Sequence, residues 1–402
     1  MSETEASASR SHALLPMELI DDVIDFLHGD YDSLKNCAMS CKEFLPRCRF
    51  NRFQSVTLDV QNITRFATLL QTSNDVAFYV HELVVIAKER PIPPGSIRPC
   101  ISWLEVHLSK LGEKLPYVHK LEIRDSDALR EVVFRGFSSV TTLILKRCIV
   151  SNVDHYIRIL NCFPSLQLVF NLRVNMKYPN KTDIVSNKAT FLSLTSMEFI
   201  QCSFLFGLLF DWLSCQSSRL PVEEFSFGPV ERAELAGVGR FLSASAKTMK
   251  NISISVVDED PPDIPEKSFD LSSLTNLETI VFGSTSTYGR VLFPGYGAML
   301  YPWILSTLET ITSTKLSSIA FVVDGRVGDL DALDTPAFDN IVLLLNTSQF
   351  KNLREVIFVV FPIRRDQIIS VLKNKLIKLY SQEKLRFMLS SDWEDTRMGL
   401  PL

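Results

Sequence analysis

The chain has 402 residues, of which 46% are hydrophobic and 22% are charged. This composition is that of a globular protein, and it excludes wholesale disorder and fibrous repeats. Forty-two basic residues against 46 acidic ones leave a formal net charge of −4, which argues against nucleic-acid binding through a broad positive field. The length is too great for one core, so it predicts two or three domains or one elongated repeat array.

Residues 1–11 are polar and lack the apolar stretch of a signal peptide, so we expect a disordered N-terminus. Eight cysteines are too few for a disulfide scaffold, which favours a reduced intracellular chain, cytoplasmic and/or nuclear. The longest uncharged stretch, residues 291–308, is interrupted by Pro294, Gly295, Gly297 and Pro302. Proline and glycine at these positions would break a lipid-spanning helix, so no membrane span is predicted.

Residues 12–53 predict three short helices. Pro16 stands at a likely first helical position, and Gly29 supplies a stop. The apolar residues of the first helix fall on one face, and those of the second repeat at helical spacing: Leu19, Ile20, Val23, Ile24 and Leu27, then Leu34, Cys37, Ala38 and Cys41. So short a unit cannot bury this much apolar surface alone, and it therefore requires a partner chain, the following domain, or both.

Leu14–Phe53 contains, in this order, Leu15-Pro16, Glu18-Leu19-Ile20, Phe26-Leu27, Leu34 and the run from Ser40 to Phe44. This ordered set resembles an F-box, and it is especially similar to F-box proteins of mushroom-forming fungi. The resemblance implies docking on the Skp-type adaptor of a cullin-RING ubiquitin ligase. The implied adaptor-binding residues are Leu15, Pro16, Met17, Leu19, Ile20, Ile24, Leu27 and Leu34. The alternative is that the helices only cap the next domain, and the two roles are compatible.

An apolar-x-x-apolar-x-apolar pattern recurs through the rest of the chain and predicts short strands. Regular members are Phe53/Val56/Leu58, Val80/Leu83/Val85, Val118/Leu121/Ile123, Val140/Leu143/Leu145, Leu194/Met197/Phe199, Val222/Phe225/Phe227, Met249/Ile252/Ile254, Leu277/Ile280/Phe282, Leu316/Ile319/Phe321 and Leu353/Val356/Phe358. Leu166/Leu168/Phe170 is an irregular member, and Leu385/Phe387 is an incomplete last one. The central members lie 27 or 28 residues apart, which is the spacing of leucine-rich repeats.

Helical stretches lie between these strands, at 101–114, 153–162, 204–215, 232–244, 302–311 and 365–380. Cys148 and Cys202 occupy the position where a leucine-rich repeat closes its turn with a small polar or thiol group. We therefore predict an α/β chain: a three-helix F-box, then an irregular leucine-rich-repeat-like solenoid over 54–389, with parallel strands inside and helices outside, and a tail over 390–402. The alternative is a compact doubly wound α/β domain. Against it, ten or so strand–helix units are more than a usual open sheet contains.

No residue set predicts catalysis, a cofactor or a metal. Cys37, Cys41 and Cys48 with His28 lack the paired spacing of zinc sites, and two of the thiols lie on an apolar helix face. Phosphate-loop, dinucleotide-binding and serine-nucleophile motifs are absent from the sequence. We therefore predict a non-catalytic protein without cofactor, nucleic acid or membrane.

Long insertions separate several of the units, and in solenoids such insertions often form the binding surface. Tyr288, Arg290 and Tyr296 are the residues we predict to contribute to target recognition, since tyrosine and arginine dominate interface anchors. The alternative is that these segments are ordinary connections. The expected function is the substrate-recognition subunit of an SCF ubiquitin ligase, whose protein target is unknown. The alternative is a non-degradative scaffold in which the F-box-like helices cap the repeats.

Overall fold

A computed structural model describes residues 15–88, 103–127, 129–177, 189, 192–202, 206–216, 221–230, 232–256, 270–283, 297–323, 333–389 and 392. The predicted disordered N-terminus, residues 1–11, lies outside this part of the chain. The predicted tail, residues 390–402, lies outside it as well, except for Asp392.

The N-terminal unit consists of helices α1 (Met17–Asp25), α2 (Tyr31–Ser40) and α3 (Leu45–Phe53), with one 3-10 turn (Lys42–Phe44) before α3. Helix α1 begins directly after Pro16, and Asp30 caps α2 by accepting a hydrogen bond from the Ser33 backbone N–H at 3.1 Å. A small core of Ile24, Leu34 and Cys48 holds the three helices together. The predicted domain boundaries stay a prediction, although α3 ends at Phe53 and the first strand begins at Ser55.

Within the described ranges, one parallel sheet of twelve strands follows, and each of its strands pairs with the next strand of the same sheet along the chain. Its strands are β1 (Ser55–Leu58), β2 (Glu82–Ile86), β3 (Lys120–Arg124), β4 (Thr142–Lys146), β6 (Leu168–Leu172), β8 (Ser196–Ile200), β9 (Glu224–Val230), β10 (Asn251–Val256), β11 (Thr279–Gly283), β12 (Ser318–Val323), β13 (Glu355–Val360) and β14 (Leu385–Leu389). Two further strands, β5 (Ile149–Val150) and β7 (Asn175–Met176), pair beside it. A doubly wound sheet reverses its strand order at a switch point, and this one does not, so the predicted solenoid is confirmed.

The repeated apolar pattern forms the core because alternate strand residues point to the same face of the sheet. From Val80 to Leu353 the first residue of every unit is at most 3% exposed. The third position becomes aromatic in the later units, where Phe282 stacks on Phe321 and Phe321 on Phe358, with ring centroids 5.7 and 5.1 Å apart. Each unit therefore buries its apolar residues only by stacking on its neighbours.

The helices lie between successive strands, as in a leucine-rich-repeat solenoid. They are α4 (Ile63–Thr72), α5 (Val76–Tyr79), α6 (Trp103–Gly112), α7 (Val153–Leu160), α8 (Phe206–Gln216), α9 (Arg232–Ala244), α10 (Gly297–Glu309), α11 (Pro336–Leu345), α12 (Arg365–Lys375) and α13 (Ile377–Ser381). Two predictions need correction: α10 begins at Gly297 and holds Pro302 inside it, and the predicted helix over 365–380 is divided into α12 and α13. Helices α4, α5 and α11 were not predicted.

The irregular repeat member was assigned to the wrong face of the sheet. Val169 and Asn171 occupy the core positions of β6, whereas Leu168 and Phe170 point to the opposite face. Asn171 is fully buried, and its side-chain amide is satisfied there. It accepts a hydrogen bond from the Tyr156 hydroxyl at 3.2 Å and donates one to the Glu198 carbonyl at 3.3 Å. A shift of one residue exchanges the two faces of a strand. Because Asn171 is polar, the sequence pattern assigned Leu168 and Phe170 to the core in place of Val169 and Asn171.

Candidate interaction surfaces

Helix α1 has apolar residues on two adjacent sides, and only one of them is used by the core. Ile20, Ile24 and Leu27 pack inward. Leu19, Val23 and Phe26 lie on one outward side of the helix, because their spacing is four and three residues. Together with Leu15, which lies just before the helix, they form what we call the α1 stripe. Leu19 is 50% exposed, Val23 59% and Phe26 87%. Nothing in the described chain covers this surface.

The eight predicted adaptor-binding residues therefore divide into three groups. Leu15, Pro16, Met17 and Leu19 are exposed, and Ile20 and Leu27 are half-buried. The prediction is corrected for Ile24 and Leu34. Both are almost fully buried in the core of the three-helix unit, so neither side chain is available to a partner. Four exposed apolar residues were left out of the prediction, namely Val23, Phe26, Tyr31 and Met39. The helical spacing from Leu19 could have identified Val23 and Phe26.

A polar network holds α1 against α3. Asp25 accepts hydrogen bonds from Arg47 Nε at 2.6 Å and from Asn51 Nδ2 at 2.8 Å, and a second Arg47 nitrogen completes a two-point pair. The hydrogen bond from Arg47 is the main reason that the pKa of Asp25 lies below its ordinary value. Because Asp25 lies on a different side of α1 from the stripe, this network leaves the stripe facing outward.

Helix α3 is the contact between the three-helix unit and the repeats. The Phe50 ring lies 5.7 Å from the His81 ring, and Arg49 pairs with Asp75. The carbonyl of Gln54, directly after α3, accepts hydrogen bonds from the backbone N–H groups of His81 and Glu82 at 3.0 and 2.8 Å. The unit therefore packs on the first repeat through α3, and the α1 stripe takes no part in this contact.

The side chains that alternate with the core positions form the second face of the sheet. On this face Glu122 is 5% exposed and accepts hydrogen bonds from Arg124 Nε at 2.6 Å and Lys146 Nζ at 2.9 Å. Burial acts to raise the pKa of Glu122, but the bonds from Arg124 and Lys146 outweigh it, and the pKa lies below its ordinary value. One buried carboxylate thus holds two cations of adjacent strands.

Replacing Glu122 with glutamine should reduce the dependence of stability on pH. Because the folded-state pKa is lowered, ionised Glu122 stabilises the fold above its ordinary pKa of 4.5, and this contribution disappears as the pH falls through the folded-state value. Urea unfolding between about pH 6 and pH 3 should therefore show a smaller loss of stability in Glu122→Gln than in the wild type. Glu355→Gln, which removes the carboxylate paired with Arg386, is the control and should follow the wild type. Identical curves for all three proteins would contradict the prediction.

The strands that carry this network end in a shared backbone conformation. Asp125, Arg147, Arg173 and Gln201, at the ends of β3, β4, β6 and β8, have φ between 52° and 57°. Their backbone N–H groups each donate to a carbonyl of the following strand, at 2.7 to 2.9 Å. Arg147 pairs with Asp125, and Arg173 Nε donates to Gln201 Oε1 at 2.8 Å. Polar side chains therefore follow one another along this edge of the sheet.

The predicted thiols of the repeat turns lie where the pattern placed them. The Cys148 thiol contacts the carbonyl oxygens of Ile123 and Lys146 at 3.5 and 3.4 Å, and that of Cys202 contacts those of Asn171 and Ile200 at 3.6 and 3.4 Å. Burial raises the pKa of each thiol to about 12, so both remain protonated and unreactive. In the described ranges no cluster of His, Cys, Asp and Glu could hold a metal ion.

The target-binding residues predicted from the insertions, Tyr288, Arg290 and Tyr296, lie outside the described residues. The described helices include none with the length and apolar character needed to cross a bilayer.

No protein-family model and no curated protein matches this chain. Among solved structures, it is similar to a chain of the Rad7 and Elc1 complex in yeast, with 14% sequence identity over 77% of this chain and 90% of that one, and a TM-score of 0.27. It is also similar to an internalin from Listeria monocytogenes, with 10% identity over 85% and 91% of the two chains and a TM-score of 0.26. Similarity at this level carries no functional information.

Proposed function

We propose that this chain is the substrate-recognition subunit of an SCF-type ubiquitin ligase. Its α1 stripe docks on the Skp-type adaptor, and its repeat surface holds a protein target. The observation that supports this proposal most is the concentration of exposed apolar side chains in the three-helix unit. Of the sixteen large hydrophobic residues exposed in the described chain, seven lie between Leu15 and Met39.

An uncovered apolar surface of this kind needs a partner. Soluble proteins rarely expose contiguous apolar patches unless another molecule covers them. Burial stabilises a complex by about 25 cal/mol per Å² of apolar area, before the costs of association. Four side chains in one stripe, with Tyr31 and Met39 on the neighbouring helix, therefore supply the type of surface that an F-box presents to its adaptor.

The proposed role needs no chemistry from this chain. In such a ligase the ubiquitin transfer is carried out by the other subunits, and the receptor contributes only the positions of the adaptor and target.

Co-purification from cells tests the proposal. The tagged wild type should recover the adaptor and the cullin, and the double variant Leu15→Ala, Pro16→Ala should recover much less of both. The matched control replaces two equally exposed apolar residues of the C-terminal repeats, Leu343→Ala and Ile377→Ala, and should behave as the wild type. Absence of the adaptor from the wild-type sample would refute the proposal.

A second candidate function is a non-degradative scaffold in which the three helices only cap the repeats. The contacts of α3 with the first repeat favour it, because they give the unit a structural role without any adaptor. The two candidates differ in the fate of the bound protein. A target whose abundance stays constant when this chain is deleted would favour the scaffold.

A further inference from the structure

The second face of the sheet carries a row of side chains whose chemistry changes abruptly. Arg124, Lys146, Leu172 and Ile200 occupy equivalent positions on β3, β4, β6 and β8, and the backbone pairing places them side by side in this order. We call these four residues the cation–apolar row. Adjacent strands lie about 4.8 Å apart, so the middle of the cationic half is roughly 10 Å from the middle of the apolar half.

The cationic half is fixed by a carboxylate that the fold does not need for packing. Glu122 lies next to Ile144, and Ile144 lies next to Phe170, so the equivalent positions of β4 and β6 carry apolar side chains. An apolar residue at 122 would avoid the free-energy cost of removing a charge from water. Glu122 instead fixes the positions of two cations on adjacent strands, because it accepts hydrogen bonds from Arg124 Nε and Lys146 Nζ.

Charge is in excess along this edge of the sheet. Glu122 is shared by Arg124 and Lys146, and Asp125 pairs with Arg147. Three cations therefore face two carboxylates among these side chains, and the surplus positive charge lies at the cationic end of the row. An acidic ligand would complement it.

The apolar half offers a surface of a different kind. Leu172 and Ile200 are half-buried, so part of each side chain remains accessible on the second face. Phe170 lies under the boundary between the halves, with Lys146 Nζ 5.9 Å from its ring centroid. A segment that crosses the strands here would meet two cations first and two aliphatic side chains about 10 Å further on.

We propose that the cation–apolar row binds an acidic segment of the target protein, in which a pair of carboxylates is separated from an apolar side chain by about three extended residues, at ~3.3 Å per residue. The carboxylates pair with Arg124 and Lys146, and the apolar side chain packs on Leu172 and Ile200. The inference rests on the proposed function in one respect only, namely that the segment belongs to a target for ubiquitin transfer.

Binding of a synthetic peptide to the purified full chain tests the proposal. The probe is a fluorescent twelve-residue peptide with two glutamates three residues from two leucines, made in both orders, and fluorescence polarisation measures its affinity. At least one order should bind, with an affinity that falls as salt is added. The variant Arg124→Gln, Lys146→Gln should bind that peptide at least tenfold more weakly.

The control variant carries the same change in charge elsewhere. Lys315→Gln with Arg354→Gln removes two cations that line a shallow cavity at the opposite ends of the strands, and it should bind as the wild type. Leu172→Ser should weaken binding threefold to tenfold without changing the salt dependence. Thermal melting of every variant separates lost binding from lost folding.

Three results would overturn the proposal: equal binding by the Arg124/Lys146 variant, equal loss in the control, or equal binding of a peptide with lysines in place of the glutamates. Binding of a phosphoserine peptide but not of the glutamate peptide would overturn the assignment to carboxylates. Adaptor recovery by the Arg124/Lys146 variant is measured separately and should be unchanged. Failure of adaptor docking would therefore refute the proposed function and leave the peptide result standing.

Discussion

Replacing both Leu19 and Phe26 with aspartate should reduce the affinity for a purified Skp-type adaptor at least 100-fold. Both side chains lie in the α1 stripe and are largely exposed, so neither contributes much to folding. Docking would bury them, and two carboxylates would then have to leave water without partners. A 100-fold loss corresponds to about 2.7 kcal/mol, which is well within what such a substitution costs in a buried interface. Isothermal titration calorimetry with the adaptor measures this loss.

The variant Leu343→Asp, Ile377→Asp is the control for this experiment, because it adds the same two charges to exposed apolar positions of the C-terminal repeats. It should bind the adaptor as the wild type does, and both variants should melt within a few degrees of the wild type. Unchanged affinity in Leu19→Asp, Phe26→Asp would show that the adaptor, if it binds at all, uses another surface.

Replacing Phe225 with alanine should cost the central repeats about 3–5 kcal/mol of stability. Phe225 is 2% exposed, and its ring lies within 4.9 to 6.4 Å of four other phenylalanine rings, at positions 199, 210, 227 and 241. Truncation leaves a cavity among rings that belong to two strands and two helices, and these cannot all move inward together. Phe78→Ala is the control. Because Phe78 is exposed, its replacement should lower the free energy of unfolding by less than 1 kcal/mol.

Because a solenoid is held together by contacts between neighbouring repeats, this loss should be local. Hydrogen exchange should accelerate first in β8, β9 and β10 of the Phe225→Ala protein, and less in β1 and β2. A uniform acceleration along the whole chain would indicate that the array unfolds as a single cooperative unit.

The strands were predictable from the sequence because each depends on a local pattern, and all the regular members of the apolar repeat became strands. The failure at Asn171 has a specific cause: a buried amide with two hydrogen-bonding partners looks, in the sequence, like a residue that must face solvent. Helix α11 was missed although Thr335 and Pro336 are a recognisable start, with Thr335 accepting a hydrogen bond from the Phe338 N–H.

The interaction surfaces were only partly predictable, for two physical reasons. Apolar residues on two sides of α1 predict a helix but do not tell which side is buried, so Ile24 was placed in the docking surface and Phe26 was not. The cation–apolar row depends on backbone pairing between strands about 25 residues apart in the chain, and its members come together only when that register is known.

The twelve strands of the sheet follow one another in chain order, so the position of a strand sets its distance from the three-helix unit. Each further strand lies about 4.8 Å further from that unit, which is held at the first repeat by the contacts of α3. A segment held on β3 to β8 would therefore lie roughly 10–25 Å from the start of the sheet, at the end that carries the α1 stripe. Which lysines of a target come within reach of ubiquitin transfer would then depend on which repeat holds it, so that inserting or deleting a repeat changes the set of modified lysines without changing the affinity.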